Sequence, residues 1–429
     1  MLTSLYTGVS GMSANGTSLS VIGDNIANMN TIGFKGSTIS FGDVLSQTLA
    51  GSSQVGRGVL VSNISPQFTQ GSIETTANAL DLAIDGEGFF IVKDGASRFY
   101  TRAGQFSLDK NGNIVNPEGL VLQGFLADQS GNITGTVGDL KIGTEMSAGT
   151  MTSSATFSVN LDATAVPPTN PFTLDSNGDG DNNDPANFNY SNSLTVYDSQ
   201  GGPHSVTLYF VKTADNAWDV HYVQEDPANP GQFIDAGTQA LSFDTTGALA
   251  DDQSGTPISF NFGTSVTTPQ QITFNFGTGT GEALSGDGLD GTTQFASPFA
   301  VKNLSQDGYA PGSLNNVTIS EDGIITGVFT NGQMKRIGQL VLAKFIAPTG
   351  LTKLGRNLFG ETFDSGQPIV GSAGTSGLGR ILSNSLELSN VDLAAEFVKM
   401  ITAQRGFQAN SRVITTTDDL LQELMNLKR

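Results

Sequence analysis

Residues 2–29 read Leu2-Thr-Ser-Leu5-Tyr-Thr-Gly8-Val9-Ser-Gly11-Met12-Ser-Ala-Asn-Gly16-Thr-Ser-Leu19-Ser-Val-Ile22-Gly23-Asp-Asn-Ile26-Ala-Asn-Met29, and the apolar positions Leu2, Leu5, Val9, Met12, Leu19, Ile22, Ile26 and Met29 keep a three-and-four rhythm throughout. At the other end of the chain Leu393, Phe397, Met400, Phe407, Ile414, Leu421 and Met425 fall on the same ladder, with Ile401, Leu420, Leu424 and Leu427 extending it. A repeat near 3.5 keeps one face of a helix toward a partner helix. Gly8, Gly11, Gly16 and Gly23 interrupt the first ladder, each costing about 1 kcal/mol relative to alanine in a helix interior. A first helix over 2–28 is therefore expected to be unstable alone and to order against another helix. The same glycines mark points of close backbone approach. The last helix is expected to open at Ser389-Asn390-Val391-Asp392, an approximate capping box, and to run on with Gly406 as its interior breaker. Ends that must find each other, or their copies in neighbouring chains, point to assembly rather than catalysis.

Between the two ladders the chain is rich in Gly, Ser, Thr and Asn, with short Val, Ile and Phe runs. Strand signals begin near residue 59. Leu80 to Val92 contains two apolar runs broken by Asp85-Gly86-Glu87-Gly88, which predicts a hairpin. Similar punctuation recurs at Asp109–Asn113, Asp128–Asn132, Asp198–Gly202, Glu321–Gly323 and Thr330–Gly332. Turn signals at this frequency, without helical stripes between them, describe antiparallel sandwiches or barrels. The fold class expected is mainly β with terminal α-helices, antiparallel β domains being inserted between coiled-coil-like ends. The domain expectation is a terminal helical assembly region (1–30 and 389–429), linkers (31–70 and 360–388), an inner β domain (71–148 and 293–359) and an outer acidic β domain (149–292).

The chain has 429 residues, no cysteine and a net charge of −20. Residues 161–300 hold 17 acidic residues against one basic residue, Lys212. That bias argues against nucleic acid, which needs Lys and Arg to displace phosphate counterions, and fits a solvated outward surface. The first basic residue is Lys35, so a cleavable signal peptide with its positively charged n-region is not expected. No apolar run approaches the roughly 20 residues of a membrane span, so membrane insertion is not expected either.

Catalytic constellations are sparse. His204 and His221 sit in strand-like surroundings without a Gly-x-Ser-x-Gly elbow, and read as exposed strand histidines. Gly286-Asp-Gly288-Leu-Asp-Gly291 matches the dinucleotide fingerprint in letters, but Pro298 argues against the helix that must follow. Asp175, Asn177, Asp179 and Asp181, with Gly180 at the sixth place, resemble the first half of an EF-hand calcium loop. The twelfth place is Ala186 rather than Glu, so the alternative is a hydrophilic loop of Asx turns. Calcium at that loop is the one cofactor entertained; no catalytic or other cofactor-binding residue is assigned.

Asn25-Ile-Ala-Asn28-Met-Asn-Thr31-Ile-Gly33-Phe34-Lys35 resembles the N-terminal signature of the bacterial flagellar rod and hook family. Ser389-Asn390-Val391-Asp392-Leu393-Ala394-Ala395-Glu396-Phe397 and Gln404-Arg405-Gly406-Phe407-Gln408-Ala409-Asn410-Ser411 are similar to its C-terminal signatures, and Ala83–Phe90 with Thr101–Gly104 to its first β domain. Length and the extra middle domain point away from the shorter rod members. The resemblance implies a structural subunit, not an enzyme, that polymerises into a curved flexible tube carrying torque from rod to filament. Its partners would be many copies of itself, the rod, the cap and junction proteins at the tube's far end, and the flagellar export apparatus. It would lie outside the cell, exported without a cleavable signal. The assembly residues implied are Leu2, Leu5, Val9, Met12, Leu19, Ile22, Ile26, Leu393, Phe397, Met400, Ile401, Phe407, Ile414, Leu421 and Leu424. The alternatives are a distal rod subunit or a calcium-dependent β-rich surface adhesin; an envelope enzyme acting on polymers is a further rival.

Overall fold

The computed structural model describes residues 2–45, 56–128, 131–143, 146–174, 186–253, 255–281 and 286–427. Helix α1 (Leu2–Ala27) and helix α2 (Leu393–Leu427) bracket described residues that are otherwise strand, turn and loop, with a single 3-10 turn at Pro348–Gly350 among them. Two compact units result: residues 1–144, 315–328 and 334–429 form the first, and residues 145–314 and 329–333 the second.

In the first unit, Met334–Lys344 is a long strand that pairs in succession with Ile324–Phe329, Val121–Ala127, Phe89–Asp94 and Ile369–Ser372. Phe89, Ile91, Tyr100, Val341, Ala343, Phe345 and Phe359 form an aromatic-rich core beneath it. The hairpin expected at Asp85–Gly88 does not exist. Leu82–Asp85 pairs with Arg380–Ser383, whereas Phe89–Asp94 turns back on Ser97–Thr101. Asp85–Gly88 instead carries the chain from one sheet to another. Residues 37–66, expected within a linker, hold the antiparallel pair Ser37–Leu45 and Gly56–Pro66. Their β-branched and aromatic positions Ile39, Phe41, Val59 and Val61 favour that pleated state, and Ser10 Oγ of α1 accepts the Val59 N–H at 3.3 Å.

The second unit is a sandwich. One sheet is a meander of Tyr190–Tyr197, Pro203–Ala214, Ala217–Glu225, Phe233–Phe243 and Leu249–Asp251. The other is built around Ser154–Asp162, whose Ala155, Phe157, Val159 and Leu161 point inward at period two. They meet Leu194, Val206, Phe210, Trp218, Val220 and Tyr222 in one continuous core. This second sheet is mixed rather than purely antiparallel. Ser154–Asp162 pairs in parallel with Gln270–Asn275 near one end and with Thr293–Phe295 near the other, and antiparallel with Ala300–Gln306. The first strand of the unit is thus completed by the last ones, which carries the unit past residue 293 to Leu314.

One turn recurs. At Asp109, Asp128, Asp198 and Asp244 the pattern Asp-x-x-Gly closes with two backbone bonds, the N–H of Asp to the carbonyl four residues on and the N–H of Gly to the carbonyl of Asp. Such turns need a left-handed residue at the fourth place, and Gly112, Gly131, Gly201 and Gly247 hold φ between 80° and 86°. The Asp side chain caps its own turn: Asp109 Oδ1 accepts two backbone N–H groups at 2.8 Å, and Asp198 Oδ1 accepts those of Gln200 and Gly202 at 2.8 and 2.9 Å. Ser320–Gly323 and Phe329–Gly332 repeat the backbone pattern with Ser or Phe in place of the first Asp.

These bonds favour the ionised carboxylate. Asp244 is held below its ordinary 3.8 by the Thr246 hydroxyl and the N–H of Ala248. For Asp198 burial pushes upward, but His204 and the N–H groups of Gly202 and Gln200 together bring the carboxyl below 3.8. A depressed folded value means the contribution is complete above the unfolded value and fades as pH falls through the folded one. The chain has one tryptophan, Trp218, wholly buried in the second unit. The urea midpoint read by its fluorescence is expected to be level from neutral pH down to the region of 3.8 and to drop below it. Asp244→Asn should flatten that acid-side drop.

Candidate assembly surface and terminal junction

The termini are tied to the first unit by one buried ion cluster. Lys35 Nζ lies 2.7 Å from Glu387 Oε1, and both side chains have no exposed surface. Arg102 approaches the other oxygen, Glu387 Oε2, at 3.4 Å. Two cations face one carboxylate, and backbone carbonyls supply the remaining acceptors: Thr69 for Lys35 at 2.7 Å and Gly86 for Arg102 at 2.8 Å. Glu387 Oε1 also accepts the N–H of Gly71 at 2.9 Å. Burial lowers the pKa of both Lys35 and Arg102, and the Glu387 carboxylate works against that shift.

Asparagines finish the junction. Asn25 at the end of α1 accepts the N–H of Ser37 and donates to its carbonyl, at 2.8 and 2.9 Å, and also donates to Glu396 of α2 at 3.3 Å. Asn390 accepts from Gly36 at 2.9 Å and donates to Gln67 at 2.8 Å. Gly33 sits at φ 68°, where a Cβ would lie 2.5 Å from the Ala103 nitrogen, and its N–H bonds the Glu387 carbonyl at 2.7 Å. The residues of the two terminal signatures thus converge in space. Asp392 is the helix cap of α2, its Oδ1 accepting the N–H groups of Ala394 and Ala395 at 2.8 and 3.1 Å; Ser389, expected as the cap, bonds only as far as Val391.

The two helices run antiparallel and meet through small residues. Gly8, Gly11, Ala14, Ser18, Ile22 and Asn25 are the buried positions of α1. At the centre the fit is reciprocal. Asn410 lies over Gly11 and Asn15 over Gly406, with 2.7 and 2.8 Å to a Cβ built on either glycine. Each asparagine also donates to the carbonyl of the glycine four residues before it, Asn15 to Gly11 at 2.7 Å and Asn410 to Gly406 at 3.0 Å. Gly16 and Gly23 have nothing within 4 Å of a Cβ, so only Gly8 and Gly11 serve the close approach.

This seam leaves much of the apolar ladder outside it. Ile22 is buried; Leu5, Met12, Leu19, Ile26, Met400, Ile414 and Leu421 are half-buried; Val9, Leu393, Phe397, Ile401 and Phe407 are exposed, as are Val398, Leu420 and Met425 beside them. The side chains of Leu2 and Leu424 lie outside the described residues, as do Asp175, Asn177, Asp179 and Asp181 of the candidate calcium loop. The histidines are half-buried rather than exposed. His204 Nε2 pairs with Asp198 and His221 Nδ1 with Asp235, each at 2.8 Å, and they stack on Phe262 and Phe172. No helix follows Gly286–Gly291; the strand Thr293–Phe295 does.

Glu387 and the reciprocal fit of Asn410 on Gly11 and Asn15 on Gly406 were not singled out from sequence. A lone acid between leucines, Ser385-Leu-Glu387-Leu388, was the available signal for the first. For the second it was the spacing Gly-x-x-x-Asn, present once in each terminal segment at Gly11–Asn15 and Gly406–Asn410.

Four family models match the chain: a flagella basal body rod protein model over residues 5–35, a flagellar hook protein FlgE/F/G D1 domain over 83–164, a flagellar basal body protein FlaE D2 domain over 160–309, and a flagellar basal body rod FlgEFG protein C-terminal model over 382–427. All describe axial proteins of the bacterial flagellum. Lys35, Arg102 and Glu387 fall in three different matched segments. The flagellar hook protein FlgE of Borreliella burgdorferi is 39% identical over the whole of both chains, and that of Escherichia coli 37% identical over 98% of each. A crystal structure of Helicobacter pylori flagellar hook protein FlgE2 shares the fold with a TM-score of 0.50 at 16% identity, covering 72% of this chain and 98% of that one. The chain belongs to the flagellar hook protein family, and its role is that of a structural hook subunit.

Two outcomes test the junction and the seam. Glu387→Ala strands two buried cations and is expected to cost about 3–5 kcal/mol, read by urea unfolding under far-UV circular dichroism, with Lys35→Met costing less because Arg102 keeps its partner. Gly16→Ala should gain up to about 1 kcal/mol of helix stability. Gly11→Ala should lose that gain by clashing with Asn410, and adding Asn410→Ala should restore it.

Proposed function

We propose that many copies of this chain polymerise through their terminal helices into a curved, flexible tube that carries torque from the flagellar rod to the filament and encloses part of the export channel. The observation that carries this is the exposed apolar face of α2, where Phe397, Val398, Ile401, Val413 and Leu420 stand in water although the helix already has α1 as a partner. Exposed apolar side chains grouped in this way mark an interaction site, and a chain of this family meets its own copies. The small-residue seam supplies an internal hairpin of helices, and the ladder on its outside supplies the contacts between subunits.

In this reading the terminal helices (1–30 and 389–429) are the assembly region, the β structure nearest them forms the tube wall, and the acidic β domain around 149–292 faces solvent. Bending requires neighbours to shift against each other once per revolution. Apolar packing at the helices supplies cohesion, and the acidic bias elsewhere keeps the remaining contacts polar and wet. The working partners are further copies, the rod, the hook cap, the hook–filament junction proteins and the export apparatus. Delivery is to the cell exterior.

Phe397→Asp or Ile401→Asp is expected to abolish polymer formation, scored by electron microscopy and sedimentation, while the Trp218 unfolding transition of the second unit keeps its midpoint. Tubes of ordinary form from either variant would remove the helical face from the assembly.

A further inference from the structure

The hairpin Thr352–Gly355 with Leu358–Gly360 carries two complementary features at its two ends. Its turn, Arg356 and Asn357, helps to line an open cleft of about 430 Å³ in the first unit. Leu358, Ile32, Ala103 and Pro117 give that cleft an aliphatic part, the largely buried rings of Phe34 and Phe359 lie at its floor, and polar side chains such as Asn28, Gln105 and Asn116 share the lining. Lys353 and Arg356 bring positive charge to it, and Asp24 and Glu118 also stand there. The base of the hairpin runs into the turn Glu361-Thr-Phe363-Asp364-Ser365-Gly366. Phe363 at its tip is 99% exposed, and Ile346 on the adjoining segment is 81% exposed. The two segments are joined by the Ala347 N–H to the Ser365 carbonyl at 3.4 Å.

The turn that presents Phe363 is locked. The Thr362 N–H donates to Ser365 Oγ at 3.0 Å, the Ser365 N–H to Thr362 Oγ1 at 3.2 Å, Ser365 Oγ to the Thr362 carbonyl at 2.9 Å and Thr362 Oγ1 to the Gly350 carbonyl at 2.7 Å. Ser365 has no exposed surface. The backbone that presents the ring is therefore fixed by hydrogen bonds around the buried Ser365. Rigid aromatic side chains presented this way are the usual anchors of protein interfaces. Asp364 flanks the ring and complements Arg356 at the cleft, whereas Glu361 already accepts the Tyr100 hydroxyl at 2.9 Å and Lys353 Nζ already donates to Ser37 Oγ at 2.8 Å.

We propose that Phe363 of one copy seats in the cleft beside Phe34 and Phe359 of the next copy. This rests on the polymer reading above and names one contact within it. A knob and its cleft at different places on one molecule form a heterologous contact, which propagates into an open helical array instead of closing into a dimer. The contact joins the β portion of one neighbour to a cleft whose rim includes Asp24 at the end of α1, away from the exposed apolar residues of α2. Edge-to-face contact is the form a further ring would take against Phe359, which already meets Phe68 and Phe89 in this way.

The chain has no cysteine, so engineered pairs read without background. Polymers of the full chain carrying Phe363→Cys and Leu358→Cys together are expected to give a ladder of covalent oligomers on oxidation. Copolymers of the two single variants should stop at covalent dimers, and polymers of either single variant alone should give none. Phe363→Ala should raise the concentration needed for polymerisation by about tenfold or more and leave the unfolding midpoint unchanged, because the ring touches little of its own chain. Well-formed polymers of the double variant without a ladder, or Phe363→Ala polymerising at the unmodified concentration, would overturn the contact while leaving the polymer reading intact. An unmodified chain that stays monomeric would remove both.

Discussion

The first unit depends on a buried carboxylate with two cationic partners. Glu387 takes Lys35 on one oxygen and Arg102 on the other, and through them the segment after α1, the β core and the segment before α2 share one electrostatic centre. Three charges out of water are costly, and the interior repays that only when the geometry is good and the remaining donors are satisfied. Here the Thr69 and Gly86 carbonyls accept from the two cations and the Gly71 N–H donates to the carboxylate, while Arg102 Nε is left without a hydrogen-bond partner. A hydrophobic plug of similar volume could hold the same pieces with equal strength, but it would tolerate sliding. Fixed donors and acceptors do not, so the cluster sets the register in which both helices leave the β structure.

Much of the architecture was legible in the residues. The two ladders announced helices at the ends, and the Asp-x-x-Gly punctuation announced hairpins, because a left-handed fourth residue and a capping carboxylate make those turns local structures that need no distant help. Asp85–Gly88 failed for the complementary reason. Its glycines permit a reversal, yet the partners of both neighbouring runs, Arg380–Ser383 and Ser97–Thr101, lie elsewhere, and strand pairing is decided by packing rather than by the break. The same limit explains the parallel pairings of Ser154–Asp162 with strands that come more than a hundred residues later.

The helical site was legible in part. Periodicity located apolar faces at Val9, Phe397 and Ile401, but it could not tell that the pair would close through Gly11, Asn15, Gly406 and Asn410. Apolar patterns report what water disfavours; close packing of small and polar residues leaves little trace in them. The outcome is a helix pair with two sets of surfaces, one used within the chain and one left outside. Charge was the least legible element, since Glu387 acquires meaning only from cations hundreds of residues away.

That separation has a kinetic side. Lys35 and Glu387 are 352 positions apart, and closing so long a loop carries an entropic cost that is met only when the last segment arrives. A chain made from its N-terminus has all of residues 145–333, the span of the second unit, before Glu387 exists. The second unit therefore has all of its residues in place first, while α1 waits without α2 and the first unit lacks its final strands. The ion cluster acts as a latch that shuts last, and the surfaces of the terminal helices are completed only once nearly the whole molecule has been delivered.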